Sequence, residues 1–98
     1  MVKHVIIWTL KDEIADKKAL LEKIKVELEG LVGKIDGLLD MKIEIEGLAS
    51  SKGDFLLDST FTDEAALKFY SSHPEHVAIA DGLVRPNVSV RLSYDYEI

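Results

Sequence analysis

The sequence predicts an α+β fold with the element order β-α-β-β-α-β. Three observations predict this order. A run rich in β-branched residues opens the chain, a helical repeat of leucine and isoleucine follows it, and the rest reads as strand, strand, helix and strand. The length of 98 residues suits one domain, which we expect to span residues 1–98.

The first β-α unit is predicted from residues 2–35. Residues 2–10 form a strand without a breaker, and both of its faces are mostly apolar. Asp16 is expected to cap a helix of roughly sixteen residues, with Gly33 as its C-terminal stop. The apolar positions of this helix recur at spacings of three and four: Leu20, Leu21, Ile24, Leu28, Leu31 and Ile35.

The second and third strands are predicted from alternation. From Leu39 to Glu46, apolar and charged residues alternate strictly, which places Leu39 on the inner face with Met41 and leaves the other face in water. Residues 47–54 have the length of a hairpin loop. Residues 55–61 form the third strand.

The second half closes with helices and a strand. Thr62 is the expected N-cap of the second helix, and Pro74 opens a short helix over residues 74–80. Asp81 and Gly82 are expected to begin a loop. The last strand has an apolar row and a polar row. The apolar row is Val88, Val90, Leu92, Tyr94 and Tyr96.

This order is that of the ferredoxin-like split βαβ fold, with helices on one face of the sheet. The sequence has more apolar rows than two short helices can cover, and an exposed apolar sheet face marks an association surface. We therefore predict a homodimer that associates through the sheet face.

Charge and composition exclude several classes of protein. The net charge of -6 opposes binding to nucleic-acid phosphate, and no apolar stretch reaches the length of a membrane span. The chain contains no cysteine, so it has neither disulfides nor a thiolate site. We expect a soluble cytoplasmic protein without nucleic-acid or membrane partners.

The segment of residues 71–77 holds two of the three histidines and follows Phe69 and Tyr70. A proline at the first helical position puts His76 in the first turn, where the helix dipole favours a neutral imidazole. His4 lies on the first strand, on the face of Ile6 and Trp8. A neutral histidine and a phenol suffice for proton abstraction beside a carbonyl. The alternative is that Tyr70 and His76 bond to the backbone and hold the junction.

Three segments together resemble the stress-responsive A/B barrel (Dabb) family. They are the lysine-histidine start at residues 2–6, the tyrosine followed by His-Pro-Glu-His at residues 69–76, and the Tyr-Asp-Tyr-Glu end at residues 94–97. The resemblance covers essentially the whole chain and implies a dimeric α/β barrel. It also implies the chemistry of the family's polyketide cyclases, which condense carbonyl compounds without a metal or cofactor.

The resemblance assigns roles to individual residues. It implies that His76 is a general base, that Tyr70 holds a substrate carbonyl and that His4 is a further pocket histidine. Phe55 stands where those cyclases have another histidine, which removes a polar contact. The expected ligand pocket between sheet and helices is apolar. It comprises Ile6, Trp8, Leu20, Ile24, Phe55 and Leu67.

Three hypotheses for function follow: binding of a hydrophobic small molecule, a cofactor-independent lyase or cyclase reaction, and a structural role in stress. We expect no metal site, because the histidines lack the spacing of zinc ligands. Arg91, which stands between two serines on the last strand, could receive a carboxylate or phosphate. The simpler interpretation is an ion pair with Asp58, Asp95 or a glutamate of the second strand.

Overall fold

The computed structural model describes all 98 residues, Met1 to Ile98. The strands are β1 (Val2–Leu10), β2 (Leu38–Glu44), β3 (Phe55–Phe61) and β4 (Val88–Glu97). The helices are α1 (Lys17–Glu29), α2 (Glu64–Ser72) and α3 (Pro74–Ile79), and α3 runs on into a π-helical segment, Ala80–Val84, and a short 3-10 turn, Arg85–Asn87.

The four strands form one antiparallel sheet in the order β2-β3-β1-β4. This order and the element sequence confirm the predicted ferredoxin-like fold. The helices cover one face of the sheet, and β2 and β4 are its two edges. None of the helices has the length and apolar character needed to cross a membrane.

The core lies between this face and the helices, and β4 adds almost nothing to it. Inward residues of β1, β2 and β3 meet Ile24 and Leu28 of α1 and Leu67 and Tyr70 of α2. Every residue of β4 after Val88 is exposed. The edge strand β4 therefore extends the sheet beyond the layer of helices.

The register of β4 on β1 separates its two rows. Arg91, Ser93 and Asp95 lie opposite Trp8, Ile6 and His4, whose side chains point to the helices. The row of Val90, Leu92, Tyr94 and Tyr96 lies opposite Thr9, Ile7, Val5 and Lys3 on the uncovered side, which we call the open face. From Val90 onward the two rows agree with the predicted alternation. Val88, which was predicted in the apolar row, lies instead opposite Leu10 beyond a register shift and packs against the core.

The structure corrects the predicted side of Leu39. The pairing of β2 with β3 shifts register between Leu38 and Asp40, so Leu38 is buried while Leu39 is 46% exposed. A bulge of this kind inserts a residue and reverses the alternation before it.

Two helix boundaries also differ from the prediction. Asp63, rather than Thr62, caps α2, because its carboxylate accepts the backbone N–H of Ala66 at 2.8 Å. Asp81 and Gly82 continue the helix as a π-helical segment, since burial of Ala80 and Val84 holds that turn against the core.

Helix α1 is shorter than predicted, although Asp16 caps it as expected through the N–H of Ala19. It ends at Glu29 with Gly30 as its C-cap. Gly33 adopts a φ of 90° in the following turns, a conformation in which glycine is favoured.

Candidate functional site

The structure brings His4, Tyr70 and His76 together beside the edge strand β4. The ring of Tyr70 lies between the two histidines, with its centroid 4.1 Å from His76 and 6.3 Å from His4. Phe61 supports the same ring at 5.0 Å. We call His4, Tyr70 and His76 the aromatic triad.

The junction between α2 and α3 aims Tyr70 and His76 to the same side. His73 has extended backbone angles, and Pro74 follows it at the start of α3, so the chain turns sharply between the helices. The side chain of His73 accepts the N–H of Glu75 and packs against Phe69. His73 therefore serves the helix boundary, as its position before proline predicts, and stands outside the triad.

His76 is held in the neutral form that a base requires. Burial lowers the pKa of His76 below its usual 6.5, and the charges of Arg85 and Arg91 lower it further, while the Ser71 carbonyl acts in the opposite direction. Nδ1 lies 3.3 Å from the Ser71 carbonyl oxygen, which can accept a hydrogen bond only if Nδ1 carries the proton. Nε2 then keeps a free lone pair. The predicted backbone contact thus orients His76 without using the nitrogen that could act as the base.

Tyr70 is buried, and its hydroxyl has no hydrogen-bond partner in the chain. The residue is 1% exposed, and burial raises the pKa of its phenol, with a smaller opposite effect from the charge of Arg91. A neutral phenol with a free O–H is a donor for an acceptor oxygen such as a carbonyl. The alternative role for Tyr70, a backbone contact at the junction, is not found.

His4 pairs with Asp95 across the β1–β4 ladder. Its Nδ1 contacts the carboxylate of Asp95, the residue directly opposite in the register. A carboxylate on Nδ1 selects the tautomer with a free Nε2 and fixes the orientation of the ring. Asp95 lies on the polar row of β4, and its contact with His4 was not predicted from the sequence. The antiparallel pairing of the two terminal strands is the signal that could have indicated it.

The predicted apolar pocket residues pack into the hydrophobic core. Ile6, Trp8, Ile24, Phe55 and Leu67 are all buried, and Leu20 is partly buried against them. The rings of Trp8 and Phe55 stack with their centroids 4.6 Å apart, which leaves no room for a ligand between them. No three histidine or carboxylate side chains gather in a group that could hold a metal ion.

Two cavities are formed without any residue of the aromatic triad in their lining. The larger, of about 690 Å³, is a hollow on the open face between the β2–β3 loop and the apolar residues Ile7, Leu56 and Leu92. The smaller, of about 280 Å³, is at the end of the sheet beside Leu67 and Asp95. The larger hollow therefore belongs to the open face, whereas the triad borders the polar row of β4.

Comparison with solved structures finds the same fold in several organisms. A dimeric protein of unknown function from Bacteroides fragilis is 27% identical, with a TM-score of 0.88 over 99% of this chain and 95% of that one. A Dabb family protein from Mesorhizobium loti is 24% identical, with a TM-score of 0.80 over 99% and 95% of the two chains. The hydroxynitrile lyase from Passiflora edulis is 15% identical, with a TM-score of 0.82 over 99% and 92%.

A comparison with curated protein sequences finds no significant match. The model of one protein family, the stress responsive A/B barrel domain, matches residues 2–98. This match confirms the family indicated by the start, the His-Pro-Glu-His segment and the end of the sequence. The chain belongs to the stress responsive A/B barrel (Dabb) family.

Proposed function

We propose that this chain binds a small carbonyl compound beside the aromatic triad and catalyses proton transfer at the carbon next to the carbonyl. The observation that carries the proposal is the contact between Tyr70 and His76. It sets a phenol without a partner beside an imidazole whose Nε2 is free. A donor for the carbonyl oxygen and a base for the adjacent C–H are the two groups that such a step needs.

The proton step uses only side chains of the triad. Nε2 of His76 takes the proton from carbon, the electron pair of that C–H bond moves into the carbonyl, and the Tyr70 hydroxyl donates a hydrogen bond to the oxygen. The resulting enolate is the intermediate from which a lyase or cyclase breaks or forms a carbon–carbon bond. A positioned base contributes about 10²–10⁴ in rate. A fold relative named as a hydroxynitrile lyase supports the view that this fold accommodates lyase chemistry.

The alternative is that the chain binds a hydrophobic small molecule without transforming it. The apolar surroundings of the triad favour this second candidate. His4 and Tyr70 are buried among core residues and His76 is half-buried beside them, so an apolar ligand that packs against His76 would remove apolar surface from water. The two candidates differ in one observable, which is exchange of the ligand's own C–H protons.

The experiment is hydrogen–deuterium exchange of the methyl protons of acetophenone in D₂O, followed by NMR. We expect the protein to accelerate exchange and His76→Ala to abolish the acceleration. His73→Ala is the matched control, since His73 lies three residues away and outside the triad. Equal exchange by His76→Ala and the wild type would refute the catalytic proposal. If acetophenone shifts the resonances of Tyr70 and His76 but its protons do not exchange, the chain binds the ligand without transforming it.

We also propose that two copies associate through their open faces. The open face carries Ile7, Leu92 and Tyr94 with exposures of 42%, 66% and 71%, and the hollow of about 690 Å³ lies on this face. Exposed apolar area of this kind is buried when a second copy packs on it. Three fold relatives are described as dimeric.

Light scattering after size exclusion tests the dimer. We expect twice the mass of the chain at micromolar concentration, and a shift to monomer in Leu92→Glu, which places a charge in the centre of the apolar row. Val26→Glu is the control, because Val26 is equally exposed on α1, away from the open face. A monomeric wild type would overturn the proposal.

A further inference from the structure

We propose that Arg91 binds a carboxylate of the ligand, so that the substrates of this site are carbonyl compounds that also carry an anionic carboxyl group. This inference rests on the proposed function of the aromatic triad and specifies its substrate class.

Arg91 stands on the row of β4 that borders the triad. It lies opposite Trp8, and Asp95 on the same row lies opposite His4. The guanidinium Nη1 is 3.5 Å from the hydroxyl of Ser93, so the side chain leans along the strand toward His4. The helices leave this row uncovered, and Arg91 is exposed. A ligand that reaches the triad along β4 therefore meets the guanidinium.

Arg91 has no acidic partner in the chain. Its contact with Ser93 is its one side-chain hydrogen bond, and the other arginine, Arg85, is paired with Asp81. The carboxylate on the same row, Asp95, is engaged by His4. The ion pair expected from the sequence is therefore not formed, and the fork of donors on Arg91 is available to a ligand.

The charge of Arg91 acts on both reactive groups of the triad. It lowers the pKa of His76 and also, against the larger effect of burial, that of Tyr70. The guanidinium therefore lies close enough to both rings for its charge to affect each of them. In a chain with a net charge of -6, an unpaired arginine also supplies the local positive potential that an anion needs.

A carboxylate fits this arrangement chemically. A guanidinium holds a carboxylate with two parallel N–H···O bonds, which fixes the orientation of the rest of the molecule. When His76 removes a proton from such a substrate, the enolate adds a second negative charge beside the carboxylate. Arg91 offsets that charge, and the proton returns from His76 to carbon without any co-reactant.

The test compares two ligands that differ only in charge, levulinate and its neutral methyl ester, by NMR titration. We expect the wild type to bind levulinate more tightly. Arg91→Met should weaken levulinate binding about tenfold to a hundredfold and leave ester binding unchanged. Arg91→Lys should restore part of the preference. Arg85→Met is the control and should keep the full preference for levulinate over the ester, because Arg85 is already paired with Asp81.

Several results would overturn this inference. They are equal affinity of the wild type for the two ligands, no binding of levulinate at millimolar concentration, and an unchanged preference in Arg91→Met. Arg91 is exposed, so its replacement leaves the core intact. The exchange assay with His76→Ala separates the two proposals. If His76→Ala loses exchange but Arg91→Met keeps the preference for levulinate, only the role of Arg91 is refuted. If exchange persists in His76→Ala, the role of His76 as the base is refuted.

Discussion

The imidazole of His76 packs on the ring of Tyr70, with centroids 4.1 Å apart and planes inclined by 33°. This contact excludes water from one face of each ring, which disfavours both imidazolium and phenolate. The pair thus consists of a neutral base and a neutral donor. Proton transfer beside a carbonyl uses both groups in these forms.

The first prediction is that the pKa of His76 lies below its ordinary value. Burial is the largest cause of its lowering, and the charges of Arg85 and Arg91 add to it. An NMR titration should therefore give a pKa below 6.5, and Arg91→Met should raise it toward that value. Because the unfolded chain binds the proton more readily, the free energy of unfolding should fall as the pH drops below about 6.5. A pKa at or above the ordinary value would contradict the prediction.

The second prediction is that the hydroxyl of Tyr70 contributes to proton exchange but hardly to stability. Since this hydroxyl has no partner in the chain, Tyr70→Phe should change the free energy of unfolding by less than about 0.5 kcal/mol. The same variant should lose most of the proton exchange, because the carbonyl oxygen loses its donor. Tyr70→Ala should instead destabilise the protein by about 3–5 kcal/mol, since it removes a fully buried ring. Thermal unfolding and the exchange assay measure both effects. Equal exchange by Tyr70→Phe and the wild type would show that the hydroxyl is not the donor to the carbonyl oxygen.

The contrast between β2 and β3 shows what the sequence could predict. The bounds of β3 were predicted correctly, because Phe55 follows a loop rich in glycine and serine, and Phe61 precedes a helix cap. The side of Leu39 was predicted wrongly, because a bulge depends on how β2 pairs with its neighbour. Local patterns specify the length of a strand, whereas its register depends on residues distant in the sequence.

The triad shows the same division. Tyr70 and His76 are six residues apart, and the proline turn between them made their proximity predictable. The partner of His4 is Asp95, which is distant in sequence and is positioned by strand pairing. The unpaired state of Arg91 could not be predicted either, because it follows from Asp95 being engaged elsewhere.

The contact between Asp95 and His4 is the third prediction. The carboxylate of Asp95 fixes the ring of His4, which packs edge-on against the donor Tyr70. Asp95→Asn should loosen this support, so proton exchange should fall by as much as about a hundredfold. Stability should change by less than about 1 kcal/mol, because the Asp95 side chain is 46% exposed and water screens the pair. Glu97→Gln is the matched control, as Glu97 lies two residues further on the same row. Equal losses of exchange in the two variants would argue against a positioning role for Asp95.

The edge of β2 is protected by two side chains of α1, which leads to the fourth prediction. Glu29 accepts the backbone N–H of Ile43 at 2.9 Å, and Lys25 donates to the Ile43 carbonyl at 2.7 Å. The two side chains also pair with each other at 2.8 Å. Together they occupy the backbone N–H and C=O of Ile43, two groups with which an added strand would otherwise pair.

Glu29→Ala should therefore expose this edge. We expect faster hydrogen exchange at the Ile43 amide and a loss of stability of about 1 kcal/mol, which allows for partial exposure of Glu29. Lys25→Met combined with Glu29→Ala should promote association beyond the dimer, seen by light scattering. Glu27→Ala is the control, because Glu27 is exposed on the same helix.

The same contact has a pH dependence of defined sign. Burial alone would raise the pKa of Glu29, but the N–H of Ile43 and the ammonium of Lys25 together lower it below its usual 4.5. The stability that the ionised carboxylate contributes is therefore present above about pH 4.5 and is lost as the pH falls through the lowered pKa. Protection of the Ile43 amide should decline over that range in the wild type and should not change there in Glu29→Ala. If acid left this protection unchanged, the carboxylate would not be what shields the edge of β2.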